Sequence, residues 1–120
     1  MAYHRLCESD YRFLSLIWAH EPVNSTELVK LSARELGWKK STVYTMVKKL
    51  AEKGLIVNEN AVIRSLVTQE SIRNQESRSF VDQTFSGSLP SFLVSFYGGK
   101  GISREEAKEL QRLIDELKQD

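Results

Sequence analysis

Apolar residues recur with helical spacing over several stretches of the chain, most clearly between residues 39 and 54. Intervals of three and four residues separate the apolar side chains there, which is the spacing of an amphipathic helix. Gly54 follows them, and glycine commonly ends a helix because it adopts the left-handed conformation easily. The pattern predicts a helix over residues 40–53, with an apolar face made of Val43, Met46, Val47, Leu50 and Ala51.

A second helix is predicted directly before this one. It is expected to begin at Asn24 or Ser25, either of which can accept hydrogen bonds from the first free amides. It should run to about Leu36, where Gly37 ends it. Residues 25–53 therefore have the layout of a helix-turn-helix unit.

A first helix over residues 8–20 is expected to supply the third wall of the core. Pro22 sets its end, because the residue before a proline disfavours the helical conformation. Either Ser9 or Cys7 is expected to cap it. Trp38 is expected to pack in the joint between the second and third helices. The apolar stripe of the first helix is formed by Tyr11, Leu14, Ile17 and Trp18.

The chain changes character after Gly54, where β-branched residues become frequent. Residues 55–57 and 62–68 are predicted strands, and residues 58–60 are the turn between them. A hairpin that directly follows a helix-turn-helix is a wing. Arg64 is its only basic residue and is the candidate wing contact to a DNA phosphate. The hairpin is also expected to cover one end of the three-helix core.

Three further helices are predicted in residues 70–120. The first spans residues 71–85, and the second, residues 88–97, is apolar on nearly all sides. The third opens at residue 103 with Ser-Arg-Glu-Glu, a capping box in which serine and glutamate satisfy free backbone amides.

A unit of roughly fifty residues buries too little surface to be stable alone without disulfides, metals or association. We therefore expect two chains to pair through this half of the sequence. The alternative is that its helices fold back onto the first half as one compact domain. The residues expected at a dimer interface are Phe80, Phe85, Leu89, Phe92, Leu93, Phe96, Leu110, Leu113, Ile114 and Leu117.

The polar face of the helix over residues 40–53 carries candidate DNA contacts. Hydroxyl groups and an aromatic ring lie near its N-terminus, and lysines lie at both ends. Hydroxyls can meet base edges in the major groove, and lysines displace counterions from the DNA backbone. The alternative is an ordinary solvated helix face. The predicted DNA contacts are Lys39, Lys40, Ser41, Thr42, Tyr44, Thr45, Lys48, Lys49 and, in the wing, Arg64.

Charge is unevenly spread, although the whole chain carries only +1. Residues 1–69 hold ten Lys and Arg against seven Asp and Glu, whereas residues 70–120 hold seven against nine. The sign of this difference fits a winged-helix DNA-binding domain in residues 1–69 and a helical dimerisation domain in residues 70–120.

Several classes of protein are disfavoured by composition and motif. Cys7 is the single cysteine, which excludes an internal disulfide and fits a reducing cytoplasm. No apolar run approaches the roughly 18 residues of a membrane helix. His4 and His20 lack metal-ligand spacing, and no catalytic constellation or phosphate loop is present. We expect a cytoplasmic protein that is not an enzyme, has no cofactor and inserts into no membrane.

The order of these elements, with several short motifs, resembles the penicillinase-repressor family over essentially the full chain. In the first half the similar residues are Ile17-Trp18, Asn24-Ser25, Glu27-Leu28, Trp38, Lys40-Ser41-Thr42-Val43, Thr45-Met46 and Lys53-Gly54-Leu55. In the second half they are Ser79-Phe80, Phe85-Ser86-Gly87-Ser88-Leu89, Ser103, Glu105-Glu106 and Glu109-Leu110. The family includes repressors of β-lactamase genes, of the methicillin-resistance determinant and of copper-transport operons.

The resemblance implies a winged-helix homodimer that sits on a palindromic operator in double-stranded DNA and blocks transcription. In the β-lactam branch, a membrane receptor senses the drug, and the repressor is then cut at an Asn-Phe bond in its dimerisation part. The matching bond here is Ser95-Phe96, which lacks the asparagine. The copper-responsive branch carries a C-terminal Cys-x-Cys pair that has no counterpart here, which argues against that branch. Lys40 also replaces the usual proline, and the wing lacks the family's Gly-Arg tip.

These observations together predict a mainly α fold with a small β-hairpin, in which a winged helix-turn-helix precedes a three-helix dimerisation module. The predicted function is a homodimeric transcriptional repressor, with proteolysis after sensing by a membrane sensor protease system as its candidate route of inactivation. The alternative is an adaptor that uses the winged helix to bind an acidic protein instead of DNA.

Overall fold

The computed structural model describes residues 6–119, which form six helices and one three-stranded antiparallel sheet. This confirms the predicted fold class of a winged helix followed by a helical module. The lead-in at residues 1–5, with His4, lies outside the described residues. The helices are α1 (Glu8–His20), α2 (Ser25–Leu36), α3 (Lys40–Glu52), α4 (Gln69–Phe85), α5 (Leu89–Tyr97) and α6 (Arg104–Leu117). The strands are β1 (Val23–Asn24), β2 (Ile56–Glu59) and β3 (Val62–Ser65).

The chain divides into two compact units, Met1–Ser79 and Phe80–Asp120. The boundary between them lies within α4. The assignment of DNA binding to residues 1–69 and of dimerisation to residues 70–120 stays a prediction.

The ends of the first helices follow the predicted capping residues. Cys7 is the N-cap of α1, and its backbone N–H donates to the Asp10 carboxylate at 3.4 Å. Asn24 caps α2, where its side-chain oxygen accepts from the Thr26 N–H at 2.8 Å. Gly37 ends α2 with a left-handed φ of 69°. The helix-turn-helix predicted from the sequence is confirmed in these bounds.

The first unit encloses a continuous hydrophobic core. It is built from α1, α2, α3 and the sheet, and Ile72 of α4 joins it. Trp18 closes one side, where its indole N–H donates to the Val67 carbonyl at 2.9 Å. Burying side chains of this kind stabilises a fold by about 1.5–3 kcal/mol each. The largest fully buried apolar residues are Phe13, Leu14, Ile17, Leu28, Leu50, Ile56, Ile63, Ile72 and Val43.

The sheet has a strand that the sequence analysis did not anticipate. The strand order is β1-β3-β2, so β3 is central, with Asn58 of β2 opposite Ile63. On its other side Val23 of β1 also lies opposite Ile63. Asn24 caps α2 as predicted, but nothing in the sequence indicated that Val23 and Asn24 also pair with β3 as a strand. A two-residue strand shows no alternation, so only its tertiary partner reveals it.

The wing turn begins two residues later than predicted. Asn60 and Ala61 form it with φ values of 54° and 65°, and Asn58 and Glu59 belong to β2. A two-residue turn with positive φ at both positions matches the twist of paired strands. The second strand also ends at Ser65 and not at the predicted residue 68. Its last predicted residue, Thr68, instead accepts a hydrogen bond from the Ser71 N–H at 3.1 Å as α4 begins.

The second unit contains the end of α4, which begins at Gln69 and not at the predicted residue 71, together with α5 and α6 close to their predicted bounds. It has no enclosed core. Ser88 caps α5 by accepting from the Ser91 N–H at 3.1 Å, and Ser103 caps α6 by accepting from the Glu106 N–H at 3.2 Å. The Tyr97 hydroxyl donates to the Glu106 carboxylate, which raises the pKa of Tyr97. Among the described residues from 80 to 119, none is buried. Four phenylalanine rings nevertheless contact one another, with neighbouring centroids 5.5–6.1 Å apart: Phe80, Phe85, Phe92 and Phe96.

Candidate nucleic-acid interface

α3 has one face in the core and one in solvent. Val43, Met46, Val47 and Leu50 are buried, as their spacing predicted. Ala51 was assigned to the same apolar face, but it is exposed. At about 100° per residue, Ala51 lies at the edge of the stripe, beyond the reach of the core.

The residues predicted to contact DNA bases lie on the solvent face of α3. Ser41, Thr42, Thr45 and Lys48 are exposed there, and the Tyr44 side chain is 45% exposed. This arrangement is the one that a helix needs to present polar groups to the major groove. Their role in binding DNA stays a prediction.

Two contacts within α3 restrict what these side chains can do. The Lys40 ammonium lies 5.8 Å from the centre of the Tyr44 ring, within cation–π distance. The Thr45 hydroxyl donates to the Ser41 carbonyl at 3.0 Å. Because its hydroxyl proton is used within the helix, Thr45 can offer an outside partner its methyl group and its oxygen as an acceptor, but no donor.

The N-terminus of α3 is suited to a phosphate group. Lys39 occupies the N-cap position and makes no side-chain cap hydrogen bond, so the first amides of the helix keep free donors. No acidic residue lies in the first turn. The positive end of the helix dipole is therefore not neutralised, and it adds to the charge of Lys39 and Lys40.

Lys49 occupies a different environment from the other predicted lysines. Its ammonium donates to the Asp10 carboxylate at 2.8 Å, and Lys53 donates to the other oxygen at 3.2 Å. Asp10 is 1% exposed. The sequence predicted a phosphate contact for Lys49, whereas the structure places it in an ion pair with α1. In residues 6–119, Lys39 and Lys48 have no ion-pair partner.

The pKa values of this pair follow from their contacts. Burial alone would raise the pKa of Asp10, but the hydrogen bonds from Lys49, Cys7 and Lys53 together hold it below its ordinary value. The hydrogen bond to Asp10 raises the pKa of Lys49. Sequence reasoning missed this role of Asp10. No local signal could reveal the ion pairs, since its lysine partners lie about forty residues away along the chain.

Arg64 lies on the wing, as predicted, but it too is paired. Its guanidinium donates to the Glu59 carboxylate at 2.7 Å, and the two side chains are 51% and 61% exposed. An exposed pair of this kind is worth about 0–1 kcal/mol, so Arg64 can exchange Glu59 for a phosphate at little cost.

The predicted dimerisation residues lie on helices with large exposed apolar surfaces. On α6, Leu113, Ile114 and Leu117 are 39%, 55% and 76% exposed, and Leu110 is partly buried. On α5, Phe96 is 67% exposed and its neighbour Ser95 is also exposed. The remaining predicted residues divide into exposed and partly buried ones: Phe80 and Leu89 are exposed, and Phe85, Phe92 and Leu93 are partly buried.

No helix within residues 6–119 is both long and apolar enough to cross a membrane. The three-helix core, the exposed helix α3 and the wing define a winged helix-turn-helix protein. The family model described as Penicillinase repressor matches residues 6–116, and the chain belongs to that family. Members of this family are transcriptional repressors, which are regulatory DNA-binding proteins and not enzymes.

Individual relatives agree with the family at low sequence identity. The chain is 26% identical over 119 residues to the Penicillinase repressor of Bacillus licheniformis, covering 95% of this chain and 92% of that protein. It is 21% identical over 116 residues to the Methicillin resistance regulatory protein MecI of Staphylococcus aureus, covering 93% and 94%. It is 19% identical over 113 residues to the Penicillinase repressor of Staphylococcus aureus, covering 91% and 90%.

Proposed function

We propose that this protein is a homodimeric repressor that binds a palindromic operator by placing one α3 from each chain in the major groove. The observation that carries the proposal is the solvent face of α3, which presents hydroxyl groups, a helix N-terminus with free donors, and two lysines, Lys39 and Lys48, that have no ion-pair partner within residues 6–119. Repression then follows from occlusion, because a dimer on the operator excludes the polymerase.

The residues of α3 divide into readers and anchors in this proposal. Ser41, Thr42 and Tyr44 meet base edges, and Lys40 holds the Tyr44 ring in place. Lys39 and Lys48 bind phosphates, which is supported by their lack of ion-pair partners in the described part of the chain. Arg64 adds a weaker phosphate contact from the wing, since it must first leave Glu59.

Thr45 reads a thymine methyl group in this proposal. Its hydroxyl donates to the Ser41 carbonyl, and an apolar contact through its own methyl group leaves that hydrogen bond intact. The thymine methyl is the apolar group on a base edge in the major groove. The contact would favour thymine over the other bases at one position in each half-site.

The dimer is formed by residues 70–120 in this proposal, and residues 1–69 bind DNA. The support is the exposed apolar surface of α5 and α6, together with the absence of any buried residue among the described residues from 80 onwards. A two-fold dimer presents its helices to a palindrome with half-sites spaced about one turn of DNA, or a multiple of it, apart.

Inactivation is proposed to occur by cleavage between Ser95 and Phe96, in response to a membrane sensor protease system. Both residues are exposed in α5, which makes the segment accessible once the helix opens locally. A cut there would divide a helix that the dimer needs. The mass of the protein recovered from β-lactam-treated cells tests this step, and an intact 13.8 kDa chain would contradict it.

Selection of duplexes from a random-sequence library with the full-length protein tests the repressor proposal. The expected result is an enriched palindrome with two half-sites. Enrichment of no sequence would contradict the proposal and would favour the adaptor, which binds an acidic protein through the same lysines.

Substitution of Thr45 tests the assignment of reader and anchor. Thr45→Ala should cost on the order of 1–3 kcal/mol for operator carrying the recognised thymine and little for operator mutated there. Thr45→Val is the matched control, because it keeps a methyl group and loses only the hydroxyl that the helix uses. Replacing the thymine by deoxyuridine should weaken the wild type and Thr45→Val but not Thr45→Ala. Equal losses for every sequence would contradict the assignment.

A further inference from the structure

A buried carboxylate joins α1 to the last turn of α3. Asp10 is 1% exposed, and its two oxygens accept from Lys49 at 2.8 Å and from Lys53 at 3.2 Å. The Cys7 N–H adds a longer hydrogen bond at 3.4 Å. A carboxylate removed from water requires such partners, because a buried charge that loses its partner is strongly destabilising. The ion pairs therefore hold the side chains of Lys49 and Lys53 beside Asp10.

The segment that leads into the N-terminus of α3 also contacts α1, through a pair of aromatic rings. The Phe13 ring of α1 is fully buried and stacks on Trp38, with centroids 5.4 Å apart and planes at 27°. Trp38 lies two residues before α3 begins. α1 thus holds α3 through two separate contacts, one at each end. These two contacts add to the core packing of α3 through Val43, Met46, Val47 and Leu50.

We propose that Asp10 is a positioning residue for DNA recognition, which acts through Lys49 and Lys53 to set the direction of α3 in the major groove. The inference rests on the proposed function and deepens it. It also reassigns Lys49, because the buried Asp10 carboxylate neutralises its charge and holds its ammonium toward α1. Lys49 then contributes to sequence preference through geometry and not to affinity through counterion release.

Lys48 provides a matched comparison next to Lys49 on the same helix. It is exposed and has no ion-pair partner within residues 6–119, whereas Lys49 is held by Asp10. Loss of a phosphate contact flattens the dependence of log binding constant on log salt by about 0.9 per contact. A change in the direction of α3 leaves that slope unchanged and instead reduces the preference for the correct sequence.

The test uses Lys48→Met and Lys49→Met in the full chain, since methionine keeps much of the side-chain length and removes the charge. Binding is measured across a salt series to two labelled duplexes. One is the duplex recovered by selection with the wild-type protein, and the other is a scrambled sequence of the same composition. Circular dichroism and the thermal midpoint establish that each variant is folded.

Lys48→Met should flatten the salt slope by about 0.9 for each subunit's lost contact and leave the preference between the duplexes nearly unchanged. Lys49→Met should keep the wild-type slope and reduce that preference by roughly 2- to 100-fold, the range expected for coupled residues. Lys49→Arg, which can still pair with Asp10, should restore the preference.

A double-mutant comparison tests whether Lys49 affects sequence preference through its interaction with Asp10. In an Asp10→Asn background, adding Lys49→Met should produce little further loss of preference, because the interaction is already broken. If Lys49→Met flattened the slope as much as Lys48→Met does, Lys49 would be a phosphate contact and the positioning role would be overturned while the repressor proposal stood. If the wild type did not distinguish the two duplexes, both proposals would fail.

Discussion

The two compact units of this protein use apolar residues in opposite ways. Every one of the buried core residues among residues 6–119 lies in the first unit, the last of them being Ile72. In the second unit, the apolar side chains of α5 and α6 remain largely exposed. The first unit therefore buries its own hydrophobic core, whereas the second unit carries many apolar residues but does not bury them. The difference supports the proposal that the second unit completes its fold with a partner.

The largest predicted effect lies in the core of the first unit. Phe13→Ala should lower the free energy of unfolding by about 3–5 kcal/mol, because Phe13 is fully buried and its removal leaves a cavity. The measurement is chemical unfolding followed by tryptophan fluorescence, since both tryptophans, Trp18 and Trp38, lie in the first unit.

Phe96→Ala is the matched control for this substitution, because Phe96 is 67% exposed within one chain. It should leave the tryptophan-monitored transition nearly unchanged in dilute protein. A comparable loss from both substitutions would show that the two units do not differ in the way described.

The next effect concerns the exposed face of α6. Ile114→Asp should weaken association by at least about 2 kcal/mol, or roughly thirtyfold in the dissociation constant, because it places a charge in the proposed apolar interface. Size-exclusion chromatography with light scattering across a dilution series measures this. Lys108→Asp also adds an acid to α6, but on its polar side, and it should leave the mass unchanged. If the two variants behaved alike, this face of α6 would not be the interface.

The stability of the first unit should depend on pH through the ionisation of Asp10. Asp10→Asn should lower the free energy of unfolding at neutral pH by about 1.5–3 kcal/mol, the value of hydrogen bonds to charged groups. The pKa of Asp10 is lowered in the folded state, so its contribution is present above the unfolded pKa. It should be constant down to about pH 4 and be lost as the pH falls further, through the folded pKa.

The measurement for Asp10 is tryptophan-monitored unfolding of the wild type and Asp10→Asn at several pH values. Their stabilities should converge below about pH 4. A difference that stayed constant down to the most acidic condition would mean that the carboxylate is not held as its contacts with Lys49 and Lys53 indicate.

The smallest predicted effect is a gain in stability at the wing turn. Ala61 adopts a φ of 65°, which is unfavourable for a residue with a Cβ atom, so Ala61→Gly should stabilise the first unit by about 1 kcal/mol. Ala33→Gly in the exposed part of α2 is the control and should destabilise it by a similar amount, about 1 kcal/mol. Loss of stability from Ala61→Gly would contradict the turn assignment. Thermal unfolding followed by fluorescence is sufficient.

The sequence predicted the helices well, because their signals are local. The stripe at Val43, Met46, Val47 and Leu50 and the caps at Asn24 and Ser103 each depend on neighbours within one or two turns. The exposed polar face of α3 followed directly from its buried one. The family resemblance, now shown, was carried by short motifs of the same local kind.

The features that the sequence did not predict depend on contacts between distant residues. β1 exists because Val23 meets Ile63 across the sheet, and Lys49 is paired because Asp10 of another helix lies beside it. The wing turn was misplaced because Asn60-Ala61 lacks the glycine that normally marks such a turn. The predicted DNA-binding surface therefore differs from the structure mainly in the ion pairs that its charged residues form with other elements.

Sedimentation equilibrium of the full-length wild-type protein at micromolar concentration tests the central claim most directly. The account predicts twice the 13.8 kDa mass of one chain, both alone and, after allowance for the DNA, on the selected duplex. A folded species of 13.8 kDa under both conditions would contradict it.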